Sequence, residues 1–293
     1  MLNLVDILGL PFLACITILV ITGYLGIHVL MREVIFIDIA LAQVAAVGAV
    51  VAHVAFGAHG DSIVAYACAF GATVIAAAFY SIVRGKVAHI SLEAIIGITY
   101  SIAMAAALFV LGVAPGGHLH VQQILAGSIL WAKWADVAWC AVAFSGVGLC
   151  FYLFRTPFMR ISEDYERARA EGLRVVLWDF VFYALLGVVI TLAVRIAGVV
   201  VVFAFLIIPA TISALFTPRL GTRLVIAWGC GGVASLIGLL FSYYLDFSVG
   251  PAVALFLGLL VALAASAGVL RARILRTAGG AGKHGCATRK WVL

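Results

Sequence analysis

Apolar runs about twenty residues long, separated by short polar breaks, repeat along the whole chain. A helical bilayer crossing takes ~20 predominantly apolar residues. Runs of that length fall at 9–30, 33–56, 62–83, 93–112, 134–154, 175–196, 198–216, 224–245 and 249–270. The pattern predicts an all-α polytopic integral membrane protein with about nine transmembrane helices, eight and ten being the neighbouring counts. A further apolar piece at 122–134 suits a short interfacial or re-entrant helix before the fifth span. Residues 1–270 then form one transmembrane domain, interrupted by a polar loop at 155–174, and 271–293 form a flexible basic tail.

Composition supports this pattern. The chain has 293 residues, 66% hydrophobic and only 10% charged, against about 25% charged in soluble domains. A net charge of +6 raises the question of nucleic acid, but the basic residues sit in short loops, which is the positive-inside signature and no nucleic-acid surface. With the N-terminus outside, the inner loops and tail hold all of the 18 basic residues except Lys133 and Arg195. This asymmetry predicts an N-out, C-in chain. An acid at Asp6 and the lack of a basic lead argue for a first span over a cleaved signal. The outer loops are short, so an imported substrate must be delivered by another protein. Five of the six cysteines lie in apolar runs without a CxxC pair, which reads as small buried hydrophobes.

The stretch from Met31 to His53, MREVIFIDIALAQVAAVGAVVAH, departs from the plain apolar pattern through Asp38 and Gln43. An acid within a span costs roughly 2.5–3.5 kcal/mol on insertion scales, so such groups belong to a bundle interior or a polar pathway. Recurring small residues (Ala42, Ala45, Ala46, Gly48, Ala49, Ala52) permit close helix approach. This segment is the predicted pore-side helix. Glu93, Asp136, Asp179 and Asp246 lie near span ends, where a carboxylate costs little and a structural role is favoured. Pro209, in VVVVFAFLIIPATISALF, frees a backbone carbonyl that Thr211 or Ser213 can help satisfy, as a gating kink or a static one. His118 and His120 alternate in an outer loop and would face one way in an extended segment; they read as transient metal ligands or as plain surface. The tail GGAGKH lacks the spacing of a phosphate loop, and HExxH and GxSxG are missing. Catalytic residues and permanently bound cofactors are therefore not expected.

The loop RTPFMRISEDYERARAEGLR reads as a short charged helix after Pro157, with Ser162 as N-cap, acids in its first turn and Gly172 as C-cap. It is either a solvated connector or a docking helix for a cytosolic partner.

Several segments, in order, resemble the membrane permeases of ABC importers for zinc, manganese and iron. They are REVIFIDIALAQVAAVGA, EAIIGITYS, ILAGSILWA, EDYERARAEGL, GVVVVFAFLIIPATISALF and SYYLDFSVGPAVAL, spread from about Gly23 to Ala265. The resemblance implies a homo- or heterodimeric channel with cytosolic ABC ATPase subunits and an extracytoplasmic metal-binding protein. ATP would be hydrolysed on the partner, and a divalent metal ion, zinc first and manganese or iron next, would cross by alternating access. It also implies docking of the ATPase on Glu163, Asp164, Glu166, Arg167, Arg169, Glu171 and Gly172. The family commonly carries an acid and a histidine four residues apart on the second helix. Here Leu41 in register places Ile39 and Gln43 at those positions, with Asp38 one residue off. Asp38 and Gln43 point about 140° apart on a regular helix, and an amide oxygen is a harder ligand than imidazole. The expected translocation-path groups are thus Gln43, Asp38, His118 and His120. The alternative within the fold is a permease for a metal chelate (siderophore, haem or cobalamin), and outside it a secondary transporter.

Overall fold

The computed structural model describes residues 4–57, 62–86, 90–113 and 129–279. These form helices α1 (Leu4–Met31), α2 (Ile37–Phe56), α3 (Ile63–Arg84) and α4 (Leu92–Val113), a short 3₁₀ turn at Ile129–Trp131, and then α5 (Trp134–Leu153). Two short helices follow, α6 (Arg155–Glu163) and α7 (Tyr165–Ala170), and then α8 (Val175–Ala197), α9 (Val199–Phe216), α10 (Leu220–Leu245) and α11 (Val249–Gly279). There is no strand among the described residues. Nine of the helices, all but α6 and α7, are long and apolar enough to cross a membrane. The nine runs of the sequence pattern are therefore the nine long helices. The last one continues as helix past residue 270 to Gly279.

Helix ends differ from the sequence expectation, and the start of α2 matters most. The second span starts at Ile37 instead of 33, because α1 ends in a closed turn. The amides of Glu33 and Val34 bond the carbonyls of Leu30 and Val29 at 3.3 and 3.2 Å, which is the Schellman pattern. The turn places Glu33 in the left-handed region at φ 56°, a position that usually takes glycine. Asp38 consequently lies in the first turn of α2, at the helix end, instead of inside the span. Its carboxylate there faces the positive pole of the helix dipole.

The charged loop is two helices instead of one. Ser162 lies within α6, and the N-cap of α7 is Asp164, whose Oδ1 accepts from the amide of Arg167 at 3.0 Å. Gly172 does end the segment. At φ 80° it lets the amides of Gly172 and Leu173 reach the carbonyls of Arg169 and Ala168 at 3.1 and 3.2 Å.

The helices pack as two groups. One comprises α1, α9, α10 and α11; the other comprises α2, α3 and α4; α8 lies against α1, α2, α3, α5 and α9 and joins them. Gly48 makes one of the closest approaches: a Cβ there would sit 2.6 Å from the carbonyl oxygen of Cys68 on α3. Outward faces carry large apolar side chains such as Phe79, Ile102, Trp139 and Val225, as lipid contact requires. In α9, Thr211 and Ser213 donate to the carbonyls of Ile207 and Ala210 and so satisfy carbonyls flanking Pro209, while the carbonyl that Pro209 leaves free belongs to Phe205. Asp136 accepts from the amide of Lys133 at 3.3 Å and caps α5. Among the described residues the cysteines are unpaired, with Cys15 and Cys140 buried.

Candidate functional site

The ends of α1, α3 and α6 and the start of α8 converge on a buried polar cluster. Arg32 follows α1, and its side chain is fully buried, as is that of Asp179. Arg32 Nη1 donates to Asp179 Oδ1 at 2.5 Å, and Arg32 Nε donates to Ser162 Oγ at 2.9 Å. Arg84 Nη1, at the end of α3, reaches both carboxylate oxygens of Asp179 at 3.3 and 3.4 Å and the hydroxyl of Tyr183 at 3.2 Å. His28 Nδ1 lies 3.0 Å from Ser162 Oγ. Ser162 Oγ also donates to the carbonyl of Phe158 at 2.8 Å. With its single proton on that carbonyl, the hydroxyl accepts from both Arg32 Nε and His28, so His28 carries its proton on Nδ1. His28 Nε2 and Arg32 Nη2 then remain buried without a partner.

Aromatic side chains pack around this cluster. The guanidinium of Arg32 lies 3.9 Å from the centroid of Phe182, in the range of a cation–π contact. Tyr24 and Phe151 pack edge-on and stacked against His28, and Phe158 packs on Phe151 and Trp178. Burial pulls the Arg32 guanidinium below its ordinary value, and the Asp179 carboxylate pulls it back. Burial, then the charge of Asp179, raises the Tyr165 phenol. Two guanidiniums against one carboxylate leave the cluster one positive charge in excess. A buried ion pair is a weak source of stability but fixes geometry closely. What it fixes here is the charged segment of α6 and α7, through Ser162, against α1, α3 and α8.

A cleft of about 330 Å³ opens beside the cluster, lined by Arg32, Glu33, Arg84, Glu93, Tyr165 and Glu166. Outside it, Arg167 pairs with Glu171 at 3.2 Å and Arg160 with Glu171 at 3.5 Å, both at exposed positions. Glu163, Asp164, Glu166, Arg167, Arg169 and Glu171 are all exposed on α6, α7 and their flanks, which is the accessibility that docking requires.

The sequence matches the ABC 3 transport family over residues 5–267, nine tenths of the chain. The chain belongs to the ABC 3 transport family. Its relatives include the manganese transport system membrane protein MntC of Listeria monocytogenes, 27% identical over 241 residues, covering 82% of this chain and 83% of that protein. The chelated iron transport system membrane protein YfeC of Yersinia pestis is 31% identical over 184 residues, covering 62% and 61%. A probable iron transport system membrane protein of Haemophilus influenzae is 29% identical, covering 54% of this chain and 56% of that protein. The chain thus spans little more than half the length of some of the curated relatives it matches. The fold is also that of the PsaBC structure from Streptococcus pneumoniae in complex with Fab, with a TM-score of 0.73 at 22% identity over 88% of this chain and 90% of that one.

Within this ABC 3 fold two of the expected path residues, Asp38 and Gln43, lie on α2. Asp38 and Gln43 are 2% and 5% exposed, so both are enclosed by helices of their own chain. Asp38 Oδ1 has no hydrogen-bond partner. His118 and His120 lie outside the described residues. Among the described residues, no three His, Cys, Asp or Glu side chains converge as a metal site. Asp179, placed at an inexpensive interfacial position by sequence, is instead buried and doubly ion-paired. The cluster of Arg32, Arg84, Ser162 and Asp179 escaped the sequence reading because its members lie up to 147 positions apart. The available signal was an acid, Asp179, standing inside the apolar run 175–196, where a charge calls for a partner.

Proposed function

We propose that this chain is the membrane permease subunit of an ABC importer for a transition-metal ion, in the plasma membrane of a bacterium. The observation that carries this is the match to the ABC 3 transport family over nearly the whole chain, joined to a docking segment held by a buried network. The partners in this reading are a cytosolic ATPase seated on Glu163–Gly172, an extracytoplasmic metal-binding protein and a second permease copy. ATP is hydrolysed on the ATPase, and the ion crosses by alternating access.

For the ion we place manganese first and ferrous iron second, with zinc, favoured by the sequence resemblance, behind them. Relatives are named for manganese and iron transport, and the oxygen donors of Asp38 and Gln43 suit manganese better than an imidazole would. Because both side chains are enclosed within the protomer, their part in the route requires the ion to pass among α2, α3, α4 and α8 as these helices part. Bacteria lacking this chain should lose most of their manganese content under metal limitation, as measured by elemental mass spectrometry. Wild-type chain should restore it and Gln43→Ala should not. Unchanged manganese, iron and zinc contents in the deletion strain would overturn the reading.

A further inference from the structure

We propose that Arg32 and Ser162 are positioning residues that link the docking segment to the start of α2. The inference deepens the permease reading and rests on it for its transport arm. Ser162 enters the core beside Phe158 and Ile161 as the polar side chain of that buried face of α6, 4% exposed, and it meets Arg32 Nε at 2.9 Å and His28 at 3.0 Å. Arg32 is held on its far side by Asp179 at 2.5 Å. Only residues 33–36 separate Arg32 from α2, and they are tightly turned. The amide of Arg32 bonds the carbonyl of His28 at 3.0 Å, that of Val34 the carbonyl of Val29 at 3.2 Å, and that of Ile37 the carbonyl of Val34 at 3.3 Å. Val34 is buried, 1% exposed. A turn with no slack passes a shift of Arg32 directly to the first turn of α2, where Asp38 sits.

Two features mark the link as able to move. Arg32 Nη2 has no partner, so the guanidinium holds unused donors for a second arrangement. The cleft of about 330 Å³ borders Arg32, Arg84, Tyr165 and Glu166, which leaves the docking segment room to tilt without closing a packed core. Displacement of α6 by a partner is therefore delivered through Ser162 and Arg32 to α2.

The test uses the full chain in lipid nanodiscs, comparing Ser162→Ala with Arg32→Lys, which keeps a cation beside Asp179 but lacks the arm that reaches Ser162. Hydrogen–deuterium exchange is expected to rise about fivefold, the effect of losing one hydrogen bond, both in 155–173 and in 34–41. A rise confined to 155–173 in both variants would overturn the link. In the assembled transporter, both variants should keep ATP hydrolysis and lower the ions carried per ATP; an unchanged ratio would equally overturn it. A wild-type complex that moves no metal would refute the permease reading, while the exchange result would still decide the link.

Discussion

Asp179 is the residue on which the inner cluster turns, because it is the single carboxylate facing two guanidiniums. Removing it leaves the fully buried Arg32 and the part-buried Arg84 with no counter-charge, and loss of one partner of a buried pair costs about 3–5 kcal/mol. Removing Arg84, whose side chain is 14% exposed, leaves a neutral Arg32–Asp179 pair and should cost less than removing Asp179. Thermal unfolding in detergent should therefore show Asp179→Asn further below wild type than Arg84→Gln. Equal losses would contradict the charge count. None of this pairing was legible from the sequence. Arg32 and Arg84 looked like ordinary inner-loop cations, and Asp179 like an interfacial acid near a span end, because burial depends on which helix ends meet. His28 was passed over for the same reason, since a lone histidine in an apolar run carries no sign of a distant serine.

Helices, by contrast, were nearly all readable, because a span is a local property of twenty consecutive residues. The errors fell at ends, where one residue decides. Glu33 closes α1 in a left-handed conformation that its side chain does not announce, and that shifts the start of α2 to Ile37. Ser162 followed by acids looked like an N-cap, but Asp164 three residues before Arg167 offers the same chemistry, and the buried partners of Ser162 decide between the two registers. Gly172 was correctly read because its left-handed turn needs glycine. Small residues along α2 were read as allowing close packing, and Gly48 meets the α3 backbone as expected. Gly48→Ala should force α2 away from α3, costing about 1–3 kcal/mol by overpacking and lowering metal uptake. Unaltered thermal stability of that variant would show that the two helices are free to separate.

For the molecule as a whole, alternation of nine spans brings the ends of α1, α3 and α6 and the start of α8 to one face, the face on which the sequence concentrates its basic residues. The charged helices α6 and α7 and the cluster beneath them are thereby stacked, with exposed charge outside and paired charge within. That arrangement suits a chain which receives motion from a cytosolic partner and passes it to helices around an ion. The most direct test is ATP-dependent uptake in proteoliposomes holding this chain, its ATPase and its binding protein, with manganese, ferrous iron and zinc offered separately. The account predicts that manganese accumulates only with ATP and that Gln43→Ala lowers the accumulation. Uptake of a metal chelate with no uptake of any free ion would contradict it.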